Sequence, residues 1–134
     1  QRQRYAVSEY SMSDIEKFLE PYKALIEKAL KYNPGTHTYE DVVNGISNQS
    51  MIFWPGKESF IITELNKFPQ KRSLHLFLSA GNLDELGKMR PAIEDFASKA
   101  KCDFITIAGR PGWERLGKKF GYKAVWTYLF KEIA

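Results

Sequence analysis

The residues from Cys102 to Tyr122, CDFITIAGRPGWERLGKKFGY, compress a strand, a turn, a helix and a stop into one short stretch. Phe104-Ile105-Thr106-Ile107 is β-branched and apolar and reads as a largely buried strand. Gly109 and Pro111-Gly112 break it sharply. Trp113, Leu116 and Phe120 then recur at the spacing of an amphipathic helix, which Gly121 stops where a left-handed residue is cheap. In open sheets, ligands sit in the crevice beyond a strand's carboxyl end. The stretch is therefore either the wall of such a crevice or a packing corner.

The rest of the chain supplies the sheet. Arg4 to Val7 reads as a short first strand. Ser13 and Glu16 have capping-box spacing, so a helix is expected from there, with Ile15, Phe18, Leu19, Tyr22, Ile26, Ala29 and Leu30 on one face. Pro21 should kink or split it, and Asn33-Pro34-Gly35 ends it. Thr38 and Asp41 open a second, shorter helix carrying Val42, Val43 and Ile46 inward. The period then changes from helix to strand. Met51–Trp54 and Ser59–Leu65 flank Pro55-Gly56-Lys57-Glu58 as an antiparallel hairpin. Ser73 to Ser79 is the most apolar strand and is expected to be central. A long helix follows Asn82 and contains Pro91, which should bend it. After the stretch above, alternating Val125, Tyr128 and Phe130 predict a closing strand over 124–133. The fold class is α/β in the α+β mixed sense: a mixed, mainly antiparallel central sheet with helices on both faces.

Composition narrows the functional classes. The 134 residues are expected to form a single domain. No apolar run is long enough to cross a membrane. The opening QRQRYAVSEYSM lacks the apolar core of a secretory signal, and residues 1–11 read either as native chain or as an added leader. Cys102 is the only cysteine, which excludes a disulfide framework and a cysteine-rich metal site and suggests a reducing, cytoplasmic location. The net charge of +4 is spread along the chain and carries no nucleic-acid signature.

This succession of elements resembles the GNAT family, the acyl-CoA N-acyltransferase fold, over nearly the whole chain. The runs SLHLFLSAGNLDEL and IEDFASKAKCDFITIAGRPGWERLGKKFGY, and within them Gly-Arg-x-Gly-Trp-x-Arg at 109–115, look like small GNAT-like proteins of tailed bacteriophages. The resemblance implies that acetyl-CoA lies where two neighbouring strands splay apart. Backbone groups of Leu76, Phe77 and Leu78 would face its pantetheine arm. The helix start at Ser79, Ala80, Gly81, Asn82 and Leu83 would hold its pyrophosphate, as helix N-termini hold anions. Two departures stand out. The loop has one glycine, no basic residue, and Asp84 and Glu85 close by, a pair that ordinary complementation of the helix dipole also explains. The tyrosine that the family often places four residues before its Gly-aromatic stop, as acid to the leaving thiolate, falls here on Gly117.

N-acetyl transfer needs an amine deprotonated beside a thioester. The candidate bases are Glu64 and His75, whose plainer readings are a solvated strand-end carboxylate and a half-buried, hydrogen-bonded histidine. Tyr122 and Tyr128 are candidate proton donors, or simply packed rings. Arg110 directly follows a buried strand, and Arg115, Lys118, Lys119 and Lys123 add positive charge suited to a phosphoadenosine, or form a solvated face. Trp113 packs on the cofactor or in the core. Two functions follow: an acetyl-CoA-dependent N-acetyltransferase acting on an amine or protein acceptor, or a GNAT-fold module without catalysis that docks on a host or virion protein. The missing loop glycines and the aromatic residues Trp54, Trp113 and Trp126, expected at the surface, favour the second. A homodimer is a further expectation by analogy, and the host cytoplasm the location of a phage protein.

Overall fold

The computed structural model describes residues 11–133, so the strand expected at Arg4–Val7 lies outside the described residues. Four strands, β1 (Ile52–Pro55), β2 (Phe60–Lys67), β3 (Arg72–Ala80) and β4 (Phe104–Ile107), form one sheet in the order β1-β2-β3-β4. The first two pairings are antiparallel and β3–β4 is parallel. Five α-helices accompany them among the described residues: α1 (Met12–Leu19), α2 (Lys23–Leu30), α3 (Tyr39–Ser47), α4 (Leu83–Lys99) and α5 (Gly112–Lys118). The mixed, mainly antiparallel sheet with helices on both faces is thus the observed architecture.

Local chemistry accounts for the helices. A capping box opens α1, but it joins Ser11 to Asp14 and not Ser13 to Glu16, so the helix begins two residues earlier than the sequence suggests. Pro21 lies in a 3-10 turn, Glu20–Tyr22, that separates α1 from α2, as its missing N–H requires. Thr38 and Asp41 form a second capping box at α3. Asn82 caps α4, which runs through Pro91 as one helix.

Strand alternation divides the apolar residues between two layers. Phe53, Phe60, Ile62 and Leu78 pack under α1–α3 with Ile15, Leu19, Ile26, Val42 and Ile46. Ile61, Leu74 and Leu76 pack under α4 with Leu86, Ile93 and Ala97. The ladder slips between Ile62 and Thr63, where Phe77 is the extra residue of a bulge. As a result Leu76 and Leu78 serve opposite faces, which strict alternation forbids.

One expected element is absent. Residues 122–133 have no regular secondary structure, and the apolar side chains of 125–133 are exposed, from 71% at Phe130 to 93% at Leu129. The closing strand does not pair with any strand of its own chain among the described residues.

Candidate functional site

Register places three polar side chains in one row across the sheet: Glu64 on β2 stands opposite His75 on β3, which stands opposite Thr106 on β4. All three lie on the face away from Leu74, Leu76, Ile105 and Ile107, the side of α1–α3. His75 Nδ1 is 2.7 Å from Thr106 Oγ1. The imidazole is half-buried, and burial holds its pKa below the usual 6.5, against the opposing pull of the Glu64 charge. His75 is therefore neutral at physiological pH. The sequence marks the histidine and the glutamate; it gives no sign of Thr106, because a hydroxyl inside Phe-Ile-Thr-Ile reads as strand filler. Its register opposite His75 is a tertiary fact.

The row lies one residue before the strands part. Leu76–Ile107 is the last paired position of β3 and β4, with Ala108 N–H donating to the Leu76 carbonyl at 3.3 Å. Beyond it β3 continues to Ala80 while the chain after β4 turns away, so among the described residues Phe77, Leu78, Ser79 and Ala80 have a strand neighbour only in β2. Around this opening, on the histidine face, the His37 and Phe77 rings pack with centroids 4.7 Å apart, and the Arg110 guanidinium lies over the Tyr32 ring at 4.1 Å. On the opposite face Trp113 reaches across and donates its indole N–H to Ser79 Oγ at 2.9 Å. Trp113 is half-buried and packs in the α4 layer. Trp54 is also half-buried and donates to Thr63 Oγ1 at 3.0 Å; of the three tryptophans expected at the surface, Trp126 alone is exposed.

The start of α4 is built as follows. Gly81 has φ of 125° and abuts Ser59 so closely that a Cβ would fall 2.3–2.5 Å from its atoms. Asn82 N–H donates to Ser59 Oγ at 2.9 Å. Glu85 turns away from the helix start and accepts from the Lys57 and Glu58 amides and from Ser59 Oγ, clamping the β1–β2 turn. Those donors hold its carboxyl below the usual carboxylate range. Asp84 pairs with Lys88 at 3.6 Å on the surface. Both carboxylates thus have partners other than a phosphate. Leu83 is exposed, and the first amides of a helix have no intrahelical acceptor.

The remaining candidates separate from this place. Tyr122 donates to Glu94 at 2.7 Å, and burial together with that carboxylate pushes its pKa well up, so it holds its proton tightly. Its Cβ stands 3.1 Å from where a Cβ on Gly117 would be, which gives that glycine a packing reason. Tyr128 is 90% exposed. Cys102 packs beside the α4 layer, and burial raises its thiol pKa, as for a small buried filler. Lys118 pairs with Glu114 at 3.8 Å; Arg115, Lys119 and Lys123 are exposed. The described residues contain no cluster of three or more potential metal ligands and no helix long and apolar enough to cross a membrane.

No protein-family model matches the chain, and no curated protein matches it significantly. Solved structures do. A probable acetyltransferase superposes with a TM-score of 0.66 at 10% identity, covering 100% of this chain and 99% of its own. An aminoglycoside acetyltransferase from an uncultured soil metagenomic sample, in complex with sisomicin, gives 0.65 at 9%, covering 98% and 93%. A predicted acetyltransferase from Clostridium acetobutylicum, with acetyl-CoA, gives 0.62 at 13%, covering 97% and 94%. The described residues therefore have a GNAT-like fold, the fold of these acetyltransferases.

Proposed function

We propose that the protein is an acetyl-CoA-dependent N-acetyltransferase in which His75 is the base for an acceptor amine. The observation that carries this reading is the Glu64–His75–Thr106 row, set one residue before β3 and β4 part, in a fold shared with acetyltransferases. The backbone around that parting fits the cofactor: Phe77–Ala80 lack a strand neighbour on one side, and the free amides at the α4 start lie at the end of the same strand. Trp113 stands in the opening and must swing aside for a pantetheine arm to enter. When bound, acetyl-CoA supplies a thioester carbonyl open to attack by an amine.

The chain's own residues then do three things. In the tautomer that donates from Nδ1 to Thr106, His75 keeps its Nε2 lone pair and takes the proton that the acceptor ammonium must lose. Glu64, opposite in register, stabilises the imidazolium that results. Arg110, held over Tyr32 at the rim, offers its guanidinium to anionic groups of either substrate. Neither Gly117 nor the tightly held phenol of Tyr122 is suited to protonate a leaving thiolate, so that proton comes from solvent.

A panel of primary amines with acetyl-CoA, followed by thiol release, tests the proposal. Wild-type turnover should fall by about 100-fold or more in His75→Ala, the usual range for a lost general base. If no amine releases thiol above the buffer rate, the catalytic reading is wrong. The second reading, a binding module on the same fold, rests on Trp113 filling the opening; it predicts no acetyl-CoA binding even in Trp113→Ala.

A further inference from the structure

Residues 122–133 leave the body after α5 without entering a helix or the sheet, yet their residue order is not that of a loop. Val125, Trp126, Leu129, Phe130 and Ile133 recur at spacings of one, three and four. Wound as an α-helix they would share an arc of about 140°, with Lys123, Thr127 and Lys131 outside it. All five are at least 71% exposed. An amphipathic helix this short is marginal in water, because its apolar stripe has nothing to pack against. The segment therefore has a helical pattern and no surface to complete it.

Charge selects the kind of surface that can. From Arg115 to Lys131 the chain also carries Lys118, Lys119 and Lys123, and no carboxylate. Arg115, Lys119 and Lys123 are exposed, and Lys118 has a Glu114 carboxylate only at 3.8 Å. Arg115, Lys118 and Lys119 are three and four residues apart, so they share one face of the last helical turns. The apolar stripe follows directly, and its root is fixed: Gly121 turns at φ of 91°, and the Tyr122 hydroxyl is held by Glu94 of α4. Cations flanking tryptophan, phenylalanine and aliphatic side chains match an anionic lipid surface. A nucleic acid would use the cations and the rings, but it offers no cover for Val125, Leu129 and Ile133.

We propose that residues 123–133 fold as an amphipathic helix on an anionic lipid surface. Val125, Trp126, Leu129, Phe130 and Ile133 enter the boundary between headgroups and acyl chains, while Lys123, Lys131 and the cations of α5 stay among the headgroups. A helix satisfies its own backbone groups, as an apolar medium requires, and an unpaired extended segment does not. The segment is about half the length needed to span a bilayer, so it lies on the surface. This association does not depend on the protein being an acetyltransferase.

Flotation of the full chain with vesicles tests this, with phosphatidylcholine alone set against phosphatidylcholine containing about one third phosphatidylglycerol. The expected result is binding to the anionic vesicles at low salt, at least about tenfold weaker on neutral vesicles or at high salt, with a gain of helical circular dichroism. Leu129→Glu should lose the binding and keep the melting transition of the body. Equal binding to both vesicle types would overturn the proposal, as would binding without added helix or binding retained in Leu129→Glu. A chain that binds neither vesicle would do the same, and a chain that binds single-stranded DNA in their place would assign the cations to a different partner.

Discussion

His75 makes the sharpest single-residue prediction. Its folded pKa lies below 6.5, so the imidazole is already neutral at pH 7. Activity should be flat from neutral pH downward until the folded pKa is reached, with the acidic limb of kcat/KM centred below 6.5. His75→Gln should abolish the limb along with most of the rate. Stability follows the same group with a defined sign. Between the folded value and 6.5 the unfolded chain binds more protons, so this contribution is full above pH 6.5 and is lost as pH falls through the folded pKa. Glu85 acts in a lower window. Its carboxyl is held below 4.5, so its contribution is present above pH 4.5 and lost as pH falls through the lowered value. Glu85→Ala unties the β1–β2 turn from α4 and should cost about 1–3 kcal/mol, as when a buried donor, here the Ser59 hydroxyl, loses its acceptor. Chemical denaturation at pH 7 measures it. A change below a few tenths of a kcal/mol would mean the clamp is ornamental.

At the scale of elements, the α4 start and the opening beside it depend on two close approaches. Gly81→Ala places a Cβ against Ser59 at a φ of 125°, and should destabilise by about 1–3 kcal/mol in a thermal or denaturant titration. Trp113→Ala removes the side chain that bridges to Ser79, and should tighten acetyl-CoA binding by about tenfold, the worth of one hydrogen bond that no longer has to break. Weaker binding in that variant would mean that the indole packs on the cofactor instead. Most elements were legible because their signals are local: Thr38 and Asp41, Pro21 and Gly121 each act within a turn of themselves. The first cap slipped because Ser11-x-x-Asp14 and Ser13-x-x-Glu16 offer competing boxes two residues apart, and sequence spacing does not choose between them. The bulge at Phe77 had no sequence signal, since Ser73–Ser79 reads as uninterrupted alternation. For the site, spacing found Glu64 and His75 but not their common row, which depends on how far β2, β3 and β4 are staggered. The strand expected at 124–133 has a strand's composition and no partner among the described residues of its own chain.

For the whole molecule, the fold narrows the chemistry without choosing it. The sheet presents His75 on the α1–α3 face and the Trp113-bridged opening on the α4 face, on opposite sides of the parting of β3 and β4. That arrangement suits transfer between a bound donor and a separate acceptor. It also survives as a binding surface if the donor never enters, because fold is shared more widely than reaction. Titration of acetyl-CoA into the wild-type chain by calorimetry, alongside Arg110→Ala, separates the two. Micromolar binding in the wild type that weakens about tenfold without the Arg110 guanidinium is the predicted result, as for the loss of one charge-assisted contact. No detectable heat at millimolar acetyl-CoA, in the wild type and in Trp113→Ala alike, would contradict the acetyltransferase reading.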